Sequence, residues 1–321
     1  MTKIMVTGAF GQIGTELTRC LRESYGSRNV LATAHQEPPH DSPLARGGPA
    51  DAVDVTDRAA LRDAVKRHGI EVIYHLAATL SAVGERDPQL SWEVNMGGLY
   101  NVLEAARTEG VSQVFWPSSI AAFGPDSPRD RTPQDTLMRP TTIYGVAKVA
   151  GELLCDYYFH KYGLDVRGVR YPGVISSEAH PGGGTTDYAV EIFYAALQSG
   201  RYTCFVRADT VLPMIYMPDC IHAAIGLMQA DLSGLQHHNG FNVAAMSFSA
   251  GELAAEIKKH IPDFECEFRP DERQAIADSW PRSLDDTAAR QEWGWRPQYD
   301  LAQMTSDMLR KLRARQQAGT L

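Results

Sequence analysis

Lys3-Ile4-Met5-Val6-Thr7-Gly8-Ala9-Phe10-Gly11-Gln12-Ile13-Gly14 joins a short apolar run to three evenly spaced glycines, and a helical pattern follows through Leu17 and Leu21. Strand, glycine turn and helix start, in that order, form the context a phosphate-binding loop requires. Glycines let the backbone approach a pyrophosphate, and a helix N-terminus supplies N–H groups and positive potential. Gly8, Gly11, Gln12, Ile13 and Gly14 are therefore candidate cofactor contacts. The spacing is G-x-x-G-x-x-G, not the G-x-G-x-x-G of a free-standing dinucleotide domain.

Outward from this loop, strand patterns at Val30–Thr33, Glu71–Ala78, Val111–Trp116 and Leu164–Arg170 alternate with helical ones. Such alternation predicts an α/β fold, a doubly wound parallel Rossmann sheet, with a smaller C-terminal substrate-binding lobe. The division expected is a cofactor domain over 1–175 and a lobe over 176–321, with about 211–245 returning to the core. Ala34 and His35 follow the second strand, where an acid usually binds the adenosine ribose. No Arg or Lys stands there for a 2′-phosphate, which tilts the choice to NAD. His40 to Ala50 reads as a surface loop, and Asp57 or Thr56 as the cap of the next helix. Asp54 reads equally as an adenine contact or a loop carboxylate. Ala77 and Ala78 leave room for a ligand at a strand's carboxyl end, and His75 reads as a packed core histidine.

Tyr144-Gly145-Val146-Ala147-Lys148 places a phenol and an ammonium one helical turn apart, on one face. A nearby positive charge favours phenolate, and a phenolate can take a proton from an alcohol. Ser119 ends a central strand, where a catalytic hydroxyl belongs, although a serine there also reads as a turn cap. Ser81 lies in the loop Thr79–Glu85, on the expected substrate side. Pro181-Gly182-Gly183-Gly184-Thr185-Thr186-Asp187-Tyr188 reads as a flexible lid for a small zwitterion, with hydroxyls for a carboxylate and a carboxylate for an ammonium. Thr185 or Thr186 reads equally as the N-cap of the helix that follows. Downstream, Asp219 and Ser249 read as helix caps, and the basic residues Arg310 to Arg315 as a solvated face.

The chain has 321 residues, 44% of them hydrophobic, and a formal net charge of −8, which disfavours nucleic acid and anionic membrane as partners. No apolar run approaches the ~20 residues of a membrane span. The first strand starts almost at once, leaving no room for a leader, so a cytoplasmic protein is expected. Five scattered cysteines read as reduced thiols. His237-His238 lack nearby partner ligands, so no metal is expected.

Thr7 to Gly14 as Thr-Gly-x-x-Gly-x-x-Gly, His75-Leu76-Ala77-Ala78, Ser118-Ser119-x-x-x-Phe123-Gly124 and Tyr144-x-x-x-Lys148 occur in this order. In them the chain resembles the extended short-chain dehydrogenase/reductase family. Phe123 stands where many members have tyrosine. Leu80 to Glu85, Trp116 to Ala121, Tyr171 to Ser176, Pro181 to Val190 and Asp278 to Ser283 are similar to the branch of that family formed by the short-chain L-threonine 3-dehydrogenases.

The resemblance implies oxidation of L-threonine to 2-amino-3-oxobutyrate, with hydride passing from Cβ to nicotinamide C4 of NAD. Tyr144 would be the base, Lys148 would lower its pKa and hold the nicotinamide ribose, and Ser119 would orient the hydroxyl. Ser81, Thr185, Thr186, Asp187 and Trp280 would hold substrate. Asp54, Val55, Leu76, Ala77, Ala78, Tyr171 and Asn95 would join the glycine loop around the cofactor, Asn95 through a water on the lysine. Pairing through the helices near Trp92–Ala106 and Tyr144–Tyr158 would make a homodimer. The same superfamily also holds nucleotide-sugar epimerases and dehydratases. Dehydratases need an acid pair after the active-site hydroxyl, whereas Ile120 and Ala121 follow Ser119 here. A cofactor-sensing regulator could discard Ser119, Tyr144 and Lys148, and all three are present.

Overall fold

The computed structural model describes residues 2–39, 41–178, 180 and 182–321. His40, at the head of the expected surface loop, and Pro181, at the head of the expected lid, lie outside the described residues.

The main sheet uses Ile4–Thr7 (β1), Val30–Ala34 (β2), Ala50–Ala52 (β3), Val72–His75 (β4), Gln113–Phe115 (β5) and, past the short strand Ser118–Ser119 (β6), Asp165–Arg167 (β7). Its order is β3-β2-β1-β4-β5-β7, every pair parallel. β1 and β4 are buried throughout because helices cover both faces. Ile4 and Val6 meet Leu17, Leu21 and the helix Met217–Gln229 on one side. Met5, one step out of phase, meets the helices Arg58–His68, Gly98–Glu109 and Ile143–Tyr162 on the other. The sheet order reverses between β1 and β4, and an open α/β sheet binds its ligand outside the strand ends at such a point.

Gly168 breaks the expected strand Leu164–Arg170 into β7 and Val169–Tyr171, which pairs with β6 and with Phe241–Asn242 in a separate small sheet. Gly173–Ile175 then pairs parallel with Val211–Tyr216. A further core, with Tyr188, Phe193, Phe248, Met304 and Trp280, builds the C-terminal lobe.

Several local expectations hold in detail. Asp57 caps Arg58–His68 through Ala59 and Ala60 N–H, and Ser249 forms a capping box with Glu252. Others do not. The helix expected over Trp92–Ala106 is Pro88–Trp92, a π turn at Glu93–Gly97, and then Gly98–Glu109. Asp219 lies inside the first turn of its helix and accepts from Gln298 and Tyr299 N–H, tying down the C-terminal segment instead of capping. Arg315 departs from the expected solvated face and donates to the carbonyls of Ser177 and Glu178.

Candidate active site

The cofactor wall is built from backbone. Gly8 has φ +64°, and a Cβ there would lie 2.8 Å from the Ala77 nitrogen. A Cβ on Gly14 would lie 2.2 Å from the Gly8 carbonyl oxygen. Only glycine lets the loop rest between β1, β4 and the helix Gln12–Tyr25. The first N–H groups of that helix have no partner within it, which suits a phosphate. Gln12 Nε2 nearby is buried and unpartnered among the described residues. This cradle fits a dinucleotide.

Thr7 Oγ1 accepts from Leu76 N–H at 3.2 Å and Ala77 N–H at 3.3 Å, and lies 2.7 Å from His75 Nδ1. With both lone pairs of the hydroxyl engaged, its proton goes to Nδ1 and the imidazole proton to Nε2. Burial, helped by the Lys148 charge, pushes His75 down to about 3. It is a neutral strut, not a base.

The candidate catalytic side chains are brought together because a second glycine permits it. Thr142 caps the helix Ile143–Tyr162 through Gly145 N–H at 3.1 Å. A Cβ on Gly145 would sit 2.2 Å from the Ala121 carbonyl oxygen, so the helix start rests directly on the turn Ile120–Ala122. Ser119 caps that turn, accepting from Ala121 N–H at 3.2 Å, and its hydroxyl lies close enough to Tyr144 to oppose the rise in the phenol's pKa. The cap reading of Ser119 therefore holds.

Lys148 differs from the expectation. Its ammonium donates to the Pro117 carbonyl at 2.6 Å and lies 4.4 Å from the Trp116 ring centre and 5.3 Å from that of Tyr144. The lysine reaches past the phenol to the end of the neighbouring strand. Burial pushes Tyr144 up to about 12, opposed by the Ser119 hydroxyl, and brings Lys148 down to about 8.

On the substrate side, Ser81 Oγ and Thr185 Oγ1 are buried 3.4 Å apart. Leu80 and Val83 back the glycines Gly182 and Gly183, so the lid lies over the helix Ser81–Arg86. Asp187 is held by its own loop: its Oδ2 accepts from Gly183 N–H at 2.8 Å and Gly184 N–H at 2.6 Å. Burial lifts it to about 6 despite those bonds. Thr186 packs on Gly173, and Trp280 is buried in the same core that Tyr144 borders.

Other expected cofactor residues are held elsewhere. Asp54 Oδ1 accepts from the Thr56 N–H at 2.9 Å and the Thr56 hydroxyl at 2.8 Å, closing a turn on an exposed rim, while Val55 is buried against Gly98. Tyr171 is corrected more fully: its hydroxyl donates to the Cys220 carbonyl at 2.7 Å, so the side chain belongs to the core. Asn95, in the π turn, accepts from Thr79 N–H at 2.9 Å and donates to Thr79 and Ser91, so it fixes the loop after β4 directly. Leu76 and Ala77 are half-buried and Ala78 exposed along that loop. Sequence reasoning missed the Thr7–His75 strut and the Gly145 contact. The Tyr-Gly dipeptide at the helix start was the available signal for the latter.

Comparisons with known proteins agree with this geometry. The model of the NAD dependent epimerase/dehydratase family matches residues 4–244. An uncharacterized epimerase/dehydratase of Staphylococcus haemolyticus is 52% identical over 318 residues, covering 99% of each chain. The solved L-threonine dehydrogenase of Clostridium difficile is 50% identical, with TM-score 0.95 and 98% of each chain covered. A monomeric L-threonine 3-dehydrogenase from a metagenome is 48% identical, with TM-score 0.93 and 97% and 99% covered.

Proposed function

The chain belongs to the NAD dependent epimerase/dehydratase family, and from that premise we propose that it oxidises L-threonine at the 3-hydroxyl to 2-amino-3-oxobutyrate. The observation that carries the reading is the meeting of Ser119 and Tyr144, with Lys148 one turn on, beside a lid that carries Thr185 and Asp187 and rests on Ser81. The likeness to solved threonine dehydrogenases over nearly the whole chain supports it.

Bound NAD supplies the acceptor for the Cβ hydride. Residues 1–175, with 211–245, hold it, the glycine loop taking the pyrophosphate. Tyr144 removes the hydroxyl proton as the base. Its raised value in the buried site makes the neutral phenol the resting form. Ionisation then needs positive charge beside the phenol beyond what the Lys148 ammonium, held on the Pro117 carbonyl, supplies. Ser119 aims the substrate hydroxyl at Tyr144. Ser81, Thr185 and Thr186 receive the carboxylate, and Asp187 the ammonium. Trp280 closes the site from the lobe. The remainder of 176–321 positions these groups, largely a matter of holding the Cβ–H in line.

The test is NADH absorbance with NAD plus L-threonine, L-serine, L-3-hydroxybutyrate or UDP-galactose. NADH with threonine ahead of serine and of the hydroxy acid is the expected result. Conversion of UDP-galactose without net NADH would replace the reading with an epimerase. We also propose a homodimer in the cytoplasm. Leu90, Trp92 and Tyr100 on one helical stretch, and Val146, Leu153 and Tyr157 on its neighbour, are exposed apolar residues suited to a second copy. Sedimentation at a monomer's mass would remove that part.

A further inference from the structure

We infer that Glu152, clamped by Arg170, is a positioning residue that aims Ser119 at Tyr144 by pulling on Ser118. The inference rests on the dehydrogenase reading above. Tyr144, Lys148 and Glu152 follow at four-residue steps and share one helix face. The first two lie at the candidate reaction centre, and the third reaches the strand behind it. Glu152 Oε1 accepts the Ser118 hydroxyl and Arg170 Nε at 2.9 Å, and Oε2 accepts Arg170 Nη2 at 2.8 Å. All three residues are at most 5% exposed. Arg170 is itself fixed: Nη1 donates to the Gln134 carbonyl at 2.7 Å and to Asn242 Oδ1 at 3.2 Å.

Ser118 and Ser119 are consecutive residues of the extended strand β6, so their side chains leave it on opposite faces. A hydroxyl held back onto Glu152 therefore turns the next hydroxyl toward Tyr144. A buried ion pair is weak evidence for stability in itself, because desolvation offsets the attraction. What this pair supplies is a fixed anchor with defined direction, on the same helix as the base. One rigid element thus sets the positions of both Tyr144 and, through Ser118, Ser119.

Ser118→Ala tests this with the ion pair intact. In the full chain with NAD and L-threonine, kcat should fall about tenfold while KM for both substrates stays within about twofold. Wild-type kcat, or a rise in KM with kcat unchanged, overturns the inference. Crystal structures of wild type and variant with NAD decide it independently of substrate. Ser119 Oγ leaving hydrogen-bond distance of the Tyr144 hydroxyl in the variant supports the inference, and an unmoved Ser119 overturns it whatever the kinetics. Failure of the wild type to oxidise threonine would sink the proposed function alone, since this structural comparison stands without it.

Discussion

On the proposed function, backbone forms the cofactor side of the site and side chains form the substrate side. Gly8 and Gly14 act by lacking a Cβ, and what they hold in place is peptide against peptide. Ser81, Thr185 and Asp187 act through oxygen atoms, and those atoms already bond the lid itself. A backbone wall is fixed by the strand register and tolerates no added atom. A side-chain wall can exchange partners when a ligand arrives. The difference teaches where rigidity and adaptability lie in this fold, and mutations can probe it from each side.

Tyr144→Phe strikes where the walls meet and should have the largest effect. Turnover should fall about a thousandfold with NAD affinity nearly unchanged, read by stopped-flow and by fluorescence titration. Retained turnover would assign the proton transfer to another group. Gly14→Ala tests the backbone wall. A Cβ 2.2 Å from the Gly8 oxygen must displace the loop, so stability should drop by roughly 2–4 kcal/mol and NAD affinity with it. A variant that melts and binds like wild type would show the cradle to be adaptable after all.

Asp187→Asn tests the side-chain wall through pH. Asp187 has a folded value of about 6 against an ordinary 3.8, so the fold disfavours its charge. As pH falls through about 6, the native side chain takes up a proton before the unfolded chain does, and the group's cost to stability is relieved, fully so below about 4. Over the same fall the lid loses a negative charge, so KM for threonine should rise. In Asp187→Asn, KM should be about tenfold to a hundredfold higher at neutral pH and should lack this step. An unchanged step would assign it to another carboxylate. Thr186→Ala should give the smallest effect, a KM for threonine raised about tenfold with that for NAD unmoved. An equal change in both would take Thr186 out of the substrate contacts.

The same contrast explains what the sequence made legible. The cofactor wall depends on local signals: glycine spacing, apolar runs and an acid such as Asp57 before a helix all act within a few residues. The sheet followed from these because buried parallel strands read as apolar runs. The substrate wall depends on pairings across the chain. Nothing local distinguishes Tyr171, whose hydroxyl meets a carbonyl 49 positions on, from a tyrosine lining a cleft. Lys148 was placed on the correct face, but the chain does not reveal that its ammonium ends on Pro117. Asp187 was identified as a lid carboxylate, and its bonds to the two glycines before it became visible only once the loop was closed. Glu152 carried a signal that went unread, its place one turn beyond the lysine.

The contact between Ser81 and Thr185 has a kinetic consequence. Two hydroxyls 3.4 Å apart share one donated proton and leave the other over. On the proposed reading an arriving carboxylate would accept both protons in charge-assisted bonds, so entry is favoured over release. A product that keeps the same carboxylate would then leave more slowly than the reactant came in.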